Sequence, residues 1–205
     1  MKLTIQDITL SRAGRNIISA LSFELTDGEA MIVTGENGSG KSTLLRGLAG
    51  LLPLDAGSIT LSDDTGKTFE GEVREYCHYL GHQNGMKATL TVRENLEFWQ
   101  QFCGHPDLTI EQALDEVDLL HTLDLPYNYL SAGQKRRAAI ARLLVSDRPI
   151  WIMDEPTSGL DAASVDIFSA ICRSYCEGGG MLIAATHLPL GLDRSQNLKL
   201  GETAS

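Results

Sequence analysis

Apolar and polar positions alternate at the start of the chain. Leu3-Thr4-Ile5 and Ile8-Thr9-Leu10 predict a strand buried on one face. Leu21 to Leu25 predicts a second, with Thr26-Asp27-Gly28-Glu29 as its turn. The alternation then gives way to an unbroken apolar run, Ala30-Met31-Ile32-Val33, which reads as a buried strand, and to a helical pattern that Gly50-Leu51-Leu52-Pro53 ends. Ser58 to Leu61 and Tyr76 to Leu80 predict further strands, separated by a polar surface loop, Ser62 to Gly71. From Asn84 to Ser146 the period is helical. Thr91 with Glu94, Thr109 with Gln112 and Ser131 with Gln134 each have the spacing of a capping box. Val92, Leu96 and Trp99 share one helix face, and Ala113, Val117 and Leu120 another. Ile150-Trp151-Ile152-Met153 has the look of a central parallel strand. Val165, Phe168, Ile171, Cys172 and Tyr175 line a further helix that Gly178-Gly179-Gly180 ends, and Met181 to Thr186 reads as the last buried strand before a short tail.

The stretch between the third strand and its helix carries chemistry. Gly35-Glu36-Asn37-Gly38-Ser39-Gly40-Lys41-Ser42 fits G-x-x-x-x-G-K-[ST], the phosphate-binding P-loop, in the strand-to-helix context that motif needs. Its glycines let backbone N–H groups close around an anion, backed by the positive end of the helix that begins near Thr43. Lys41 brings a point charge to the β- and γ-phosphates, and the Ser42 hydroxyl can ligate Mg²⁺. Asp154 and Glu155 end an apolar strand, where α/β proteins place ligands, and His187 ends the next. The helix starting after Ser131 offers a second set of free N–H groups. The expected fold is therefore α/β: a P-loop mixed sheet with an antiparallel β subdomain. A helical subdomain, 84–146, is inserted into a core of 1–83 and 147–205, all in one domain.

Composition narrows the partners. With 205 residues and 42% hydrophobic content the chain can bury a sizeable core. A net charge of −10 argues against nucleic acid and anionic lipid as general partners. No apolar run reaches the roughly 20 residues of a membrane span, and the N-terminus has no apolar signal core, so a cytosolic chain is expected. Cys77, Cys103, Cys172 and Cys176 form no C-x-x-C motif, and Cys172 and Cys176 read as buried small apolar residues. His78 and His82 lack a carboxylate at matching spacing, so no metal site is expected there. Lys135, Arg136, Arg137 and Arg142 read as a solvated helix face rather than a nucleic-acid surface.

Taken together, the motifs resemble the nucleotide-binding subunit of ABC transporters over nearly the whole chain. Gly35 to Ser42 resembles Walker A, and Gln83 the Q-loop glutamine. Leu130-Ser131-Ala132-Gly133-Gln134 is similar to the LSGGQ signature, with Ala132 for its first glycine. Ile150 to Glu155 resembles Walker B, Ser158-Gly159-Leu160-Asp161 the D-loop, and His187 the switch histidine. The resemblance implies ATP and Mg²⁺ as ligands. It gives Ser42, Asp154 and Gln83 to the metal, Glu155 to general base catalysis, and His187 to the γ-phosphate and the attacking water. It also implies a head-to-tail dimer in which Ser131 and its neighbours act on ATP held by the other copy, with 84–89 as the coupling surface. Where the family usually carries an aromatic residue for adenine, this chain has Ser11-Arg12-Ala13-Gly14-Arg15, making Arg12 the candidate to stack on the base. The run Tyr79 to Lys87, the run Leu90 to Trp99 and LSAGQKRR are similar to the ATPase of the bacterial cytochrome c maturation system. That similarity implies a peripheral subunit on the cytoplasmic face of the inner membrane, beside an integral permease, a haem-handling membrane protein and a small adaptor. There, ATP hydrolysis supports release of a haem-loaded chaperone. The length leaves no room for a long coiled coil or a tandem domain, which sets aside chromosome and translation ATPases. Another small exporter, or a soluble scaffold such as one for iron–sulfur assembly, remains open at this stage.

Overall fold

The computed structural model describes residues 1–201. Eight strands and five α-helices follow one another: β1 (Lys2–Arg12), β2 (Arg15–Thr26), β3 (Ala30–Gly35), α1 (Lys41–Leu48), β4 (Ala56–Ser62), β5 (Cys77–Leu80), α2 (Val92–Cys103), α3 (Ile110–Glu116), α4 (Ala132–Leu144), β6 (Ile150–Asp154), α5 (Ala162–Glu177), β7 (Met181–Ala185) and β8 (Ser195–Leu200). The expected mixed sheet resolves into two. One is antiparallel, in the order β2-β1-β4; the other is wholly parallel, in the order β5-β6-β7-β3-β8. The reason lies at β3: its two edges are already taken by β7 and β8, so no edge remains for β2. The two sheets instead pack through α1, whose Leu44, Leu45 and Leu48 share a core with Leu3, Ile5 and Leu10 on one side and Ile150, Ile152 and Ile183 on the other.

Period-two alternation along β6 and β7 sorts the second face. Trp151, Met153, Leu182 and Ala184 point away from α1 and pack with Phe168, Cys172 and the alanine-rich α4. The three capping boxes form as spaced: Thr91 with Glu94, Thr109 with Gln112, and Ser131 with Gln134. Each satisfies orphan N–H groups at a helix start.

Three sequence expectations need correction. Met181–Ala185 is not the last strand; β8 pairs with β3 over six residues. As a sheet edge it buries little, and only Leu198 and Leu200 of SQNLKL reach the core, so its apolar signal is weak. Leu120 does not share the buried face of α3. The helix ends at Glu116, Asp118 turns the chain at φ 52°, and Leu119 takes the buried place. Arg136 and Arg142 are not on a solvated face. Both are almost wholly buried, because α4 is covered on most sides and Ala138 through Leu143 are all interior. Arg142 donates to the Tyr79 carbonyl at 2.6 Å and lies 4.5 Å over the Trp99 ring, and desolvation pushes its guanidinium pKa down to about 10.

Candidate functional site

Four parallel strands deliver the candidate groups to one edge. β3 runs into Gly35 to Ser42, β5 into Gln83, β6 into Asp154-Glu155 and β7 into His187. The carboxyl ends of parallel strands are where an open α/β sheet leaves room for a ligand.

The phosphate loop is shaped by close backbone approach. Gly35 has φ 147°, and a Cβ there would lie 2.6 Å from the Leu200 carbonyl oxygen and 2.7 Å from Ser39 Oγ. Gly40, at φ 102°, caps α1, and a Cβ there would meet Ile17 Cγ2 at 2.4 Å. Thus the edge strand β8 and the start of β2 both brace the loop. The first N–H groups of α1, those of Lys41, Ser42 and Thr43, have no intrahelical partners and point out of the helix start. Ser39 Oγ is buried without a hydrogen-bond partner among the described residues. Lys41 folds back, its Nζ donating to the carbonyls of Gly35 at 2.7 Å and Glu36 at 3.1 Å. Free donors, an orphan hydroxyl and a cation held by two replaceable carbonyls make an anion cradle. Glu36, Asn37 and Gly38 form its outer turn.

The acidic side is built differently. Asp154 is 1% exposed, and its Oδ2 accepts no hydrogen bond; His82 Nε2 stands 3.6 Å away. Glu155, the next residue, takes a left-handed φ of 45°, which turns its side chain out of the strand. Its Oε1 lies 3.7 Å from His187 Nε2. The Glu155 N–H still donates to Ala185 O at 2.9 Å, so the turn is anchored to β7. Gln83 is exposed in the loop after β5.

Other predicted residues stand apart. Ser131 and Gln134 spend their side chains on the capping box of α4, Gly133 packs near the Gly159 carbonyl, and Ala132 is exposed. No hydrogen bond among the described residues joins 131–134 to the chain's own phosphate loop. Asp161 caps α5; its side chain accepts from Ser164 N at 2.8 Å, and hydrogen bonds from Ser164 hold its carboxyl below the usual range. Arg12 is exposed at the tip of the β1–β2 hairpin, five residues before the Ile17 that braces Gly40.

Sequence reasoning missed two groups at this edge. His82 faces Asp154, and Arg136 reaches the backbone of the Glu155 turn, donating to Glu155 O at 2.8 Å and Pro156 O at 2.8 Å. For Arg136 the signal was present: it shares a helical stripe with Ile140 and Leu143, both buried. For His82 there was none, because its partner is distant in the chain.

Comparison with known proteins agrees with this geometry. Residues 18–158 match the family described as ABC transporter. A cytochrome c biogenesis ATP-binding export protein CcmA of Mesorhizobium japonicum is 51% identical over 98% of both chains. One from Brucella abortus is 54% identical over 94% of this chain and 88% of its own. Among solved structures, a dimeric ATP-binding cassette in a post-hydrolysis state with ADP and Pi matches the fold with a TM-score of 0.80, at 23% identity, over 98% of this chain and 97% of the other. A phosphate cradle and an acidic strand end at one sheet edge, matched at this length, identify the chain as a member of the ABC transporter family of ATPases.

Proposed function

We propose that the chain is the ATP-hydrolysing subunit of a membrane complex serving cytochrome c biogenesis, and that Glu155 is its general base. The carrying observation is the Glu155–His187 pair at 3.7 Å, at the sheet edge that also carries the phosphate loop, on a backbone turned to φ 45°. ATP lies with its phosphates on the N–H groups of Gly38 to Thr43, and Lys41 leaves the Gly35 and Glu36 carbonyls for the β- and γ-phosphates. A water held between Glu155 and the γ-phosphorus attacks. The new P–O bond forms as the bond to the bridging oxygen breaks, ADP leaves, and the water's proton passes to the Glu155 carboxylate. His187 donates to the γ-phosphate and orients that water. Arg12 stacks its guanidinium plane on the base.

The residues fit a magnesium ion. The orphan Asp154 Oδ2 has the desolvated carboxylate oxygen a hard cation needs, and Ser42 and Gln83 supply further oxygens. When bound, Mg²⁺ would supply charge neutralisation for phosphoryl transfer. Ser131, Ala132, Gly133 and Gln134 do not reach the chain's own loop, so they act on ATP held by a second copy, with Asp161 at the same boundary. The head-to-tail dimer follows, and 84–89 carries its closure to an integral permease at the cytoplasmic face of the inner membrane. No helix of the described residues is long and apolar enough to cross a membrane, which suits a peripheral subunit.

Two measurements test this reading. Glu155→Gln in the detergent-purified complex is expected to bind ATP and lose turnover; wild-type turnover would remove Glu155 as the base. A tagged chain is expected to recover an integral membrane protein from detergent extract, and recovery of soluble scaffold proteins alone overturns the membrane role.

A further inference from the structure

Among the described residues, the side chain with the most hydrogen bonds is one that the proposed mechanism leaves idle. Arg136, on the second turn of α4, is 5% exposed and makes five hydrogen bonds. Its Nε donates to Pro156 O at 2.8 Å. One terminal nitrogen donates to Gly81 O at 2.7 Å and Asn84 Oδ1 at 3.2 Å. The other donates to Glu155 O at 2.8 Å and Asp154 O at 3.3 Å. None of these acceptors is a carboxylate, so the buried cation is solvated by backbone and one amide rather than paired. Removing such a charge from water is expensive, and a fork of N–H donors in fixed directions can meet all five acceptors.

The acceptors fall on two segments, and the guanidinium joins both to α4. Gly81 and Asn84 flank Gln83. Asp154, Glu155 and Pro156 are the end of β6 and the turn that aims the Glu155 carboxylate. Arg136 itself follows the capping box of Ser131 by five residues. Glu155 holds a φ of 45°, unfavourable for a residue with a Cβ, and the guanidinium grips the carbonyls on either side of its side chain.

From this juxtaposition we infer that Arg136 is a positioning residue for hydrolysis: it fixes the Glu155 turn and ties it to the Gln83 loop and the signature helix, so that these three move as one piece. The inference rests on the reading of Glu155 as general base. Arg136 does not touch nucleotide. It sets where the base stands, and a misplacement of about 1 Å in such a group costs on the order of 100-fold in rate.

The test uses the detergent-purified complex with Arg136→Gln, Arg136→Lys and the double variant Arg136→Gln/Glu155→Gln. Arg136→Gln is expected to lower kcat about 10- to 100-fold with KM for ATP within about threefold, because the phosphate loop is untouched. Arg136→Lys keeps the charge but not the fork, and is expected to remain at least about tenfold slow. The double variant is expected to be no slower in single turnover than Glu155→Gln alone, since both act through one group. An Arg136→Gln enzyme with wild-type kcat, full recovery by lysine, or multiplying effects in the double variant each overturns the inference. If Arg136→Gln does not assemble, Arg136→Lys and Asn84→Ala carry the same split, the latter expected to lower kcat about two- to fivefold at constant KM and overturning the inference if kcat is unchanged. Glu155→Gln separates the layers. If it turns over ATP normally, the base assignment fails; if it is inactive while Arg136→Gln is normal, only the role of Arg136 fails.

Discussion

Acidification should loosen this fold through one residue, His78. It sits on β5, the strand that leads to Gln83, and is 4% exposed. Its Nε2–H donates to the carbonyl of Ser146 at 2.9 Å, just past the end of α4, and Ser146 Oγ lies 3.2 Å away. Burial, with Arg142 and Arg148 nearby, pushes its pKa down to about 4, although the Ser146 bond opposes the shift. The folded state therefore keeps the ring neutral, while the unfolded chain protonates it below about 6.5. The stabilisation is complete above pH 6.5 and is lost as pH falls from there towards 4. Linkage between these two values gives about 2 kcal/mol lost by pH 5 and about 3 kcal/mol once both states are titrated. His78→Gln keeps an N–H donor for Ser146 but cannot titrate. Urea unfolding of wild type and His78→Gln at pH 7.5 and pH 5.0 checks the reasoning. Wild type is expected to lose about 2 kcal/mol more than the variant over that interval. Equal losses would show that His78 is not held neutral, and would refute its role as a buried neutral pin between β5 and the segment after α4.

Gly35→Ala forces a Cβ to within 2.6 Å of the Leu200 carbonyl at a φ reserved for glycine, so β8 must shift; a loss of about 2 kcal/mol, seen as a fall of about 4–8 °C in thermal midpoint with weakened ATP binding, is expected. An unchanged midpoint would mean that β8 does not brace the loop. Arg12→Ala is expected to weaken ATP binding several-fold while leaving inorganic phosphate competition unchanged, measured by fluorescent-nucleotide displacement; equal ATP affinity removes the stacking role.

How much of this was legible in the chain differs by the kind of signal. Gly35 to Ser42 was readable because phosphate binding uses backbone, and backbone geometry forces residue type at fixed offsets. Asp154 and Glu155 were readable because a run buried on both faces announces a central strand and its end. Thr91, Thr109 and Ser131 were readable because a capping box closes within four residues. What failed was anything settled by distant neighbours. SQNLKL is a strand through its pairing with the edge of β3 that β7 does not occupy, and its own alternation is slight. The antiparallel subdomain was readable, but sequence order could not show that the core sheet is wholly parallel or that α1 lies between the two. Arg136 and Arg142 looked solvated because arginine usually is, and their acceptors come from positions 79 to 84 and 154 to 156.

Those two arginines also explain why α4 can serve as a mechanical part. A helix seated on apolar contacts alone could slide or rotate with little directional penalty, since dispersion is non-directional. Arg136 and Arg142 replace that freedom with aimed bonds. Arg136 holds the loop on both sides of Gln83 and the Glu155 turn, while Arg142 holds β5 through Tyr79 O and the face of Trp99 on α2. Replacing Arg136 by a methionine of similar reach would retain much of the packing and remove the desolvation burden, yet leave the carbonyls of Gly81 and Pro156 without the donor they now have. The bias against that exchange comes from the orphaned acceptors rather than from the lost charge. The acceptors belong to the loops that carry Gln83 and Glu155, the groups proposed to act at ATP. A displacement at either loop must therefore pull on the helix that begins at Ser131, and the closure proposed above would travel through bonds that can be counted rather than through general rigidity.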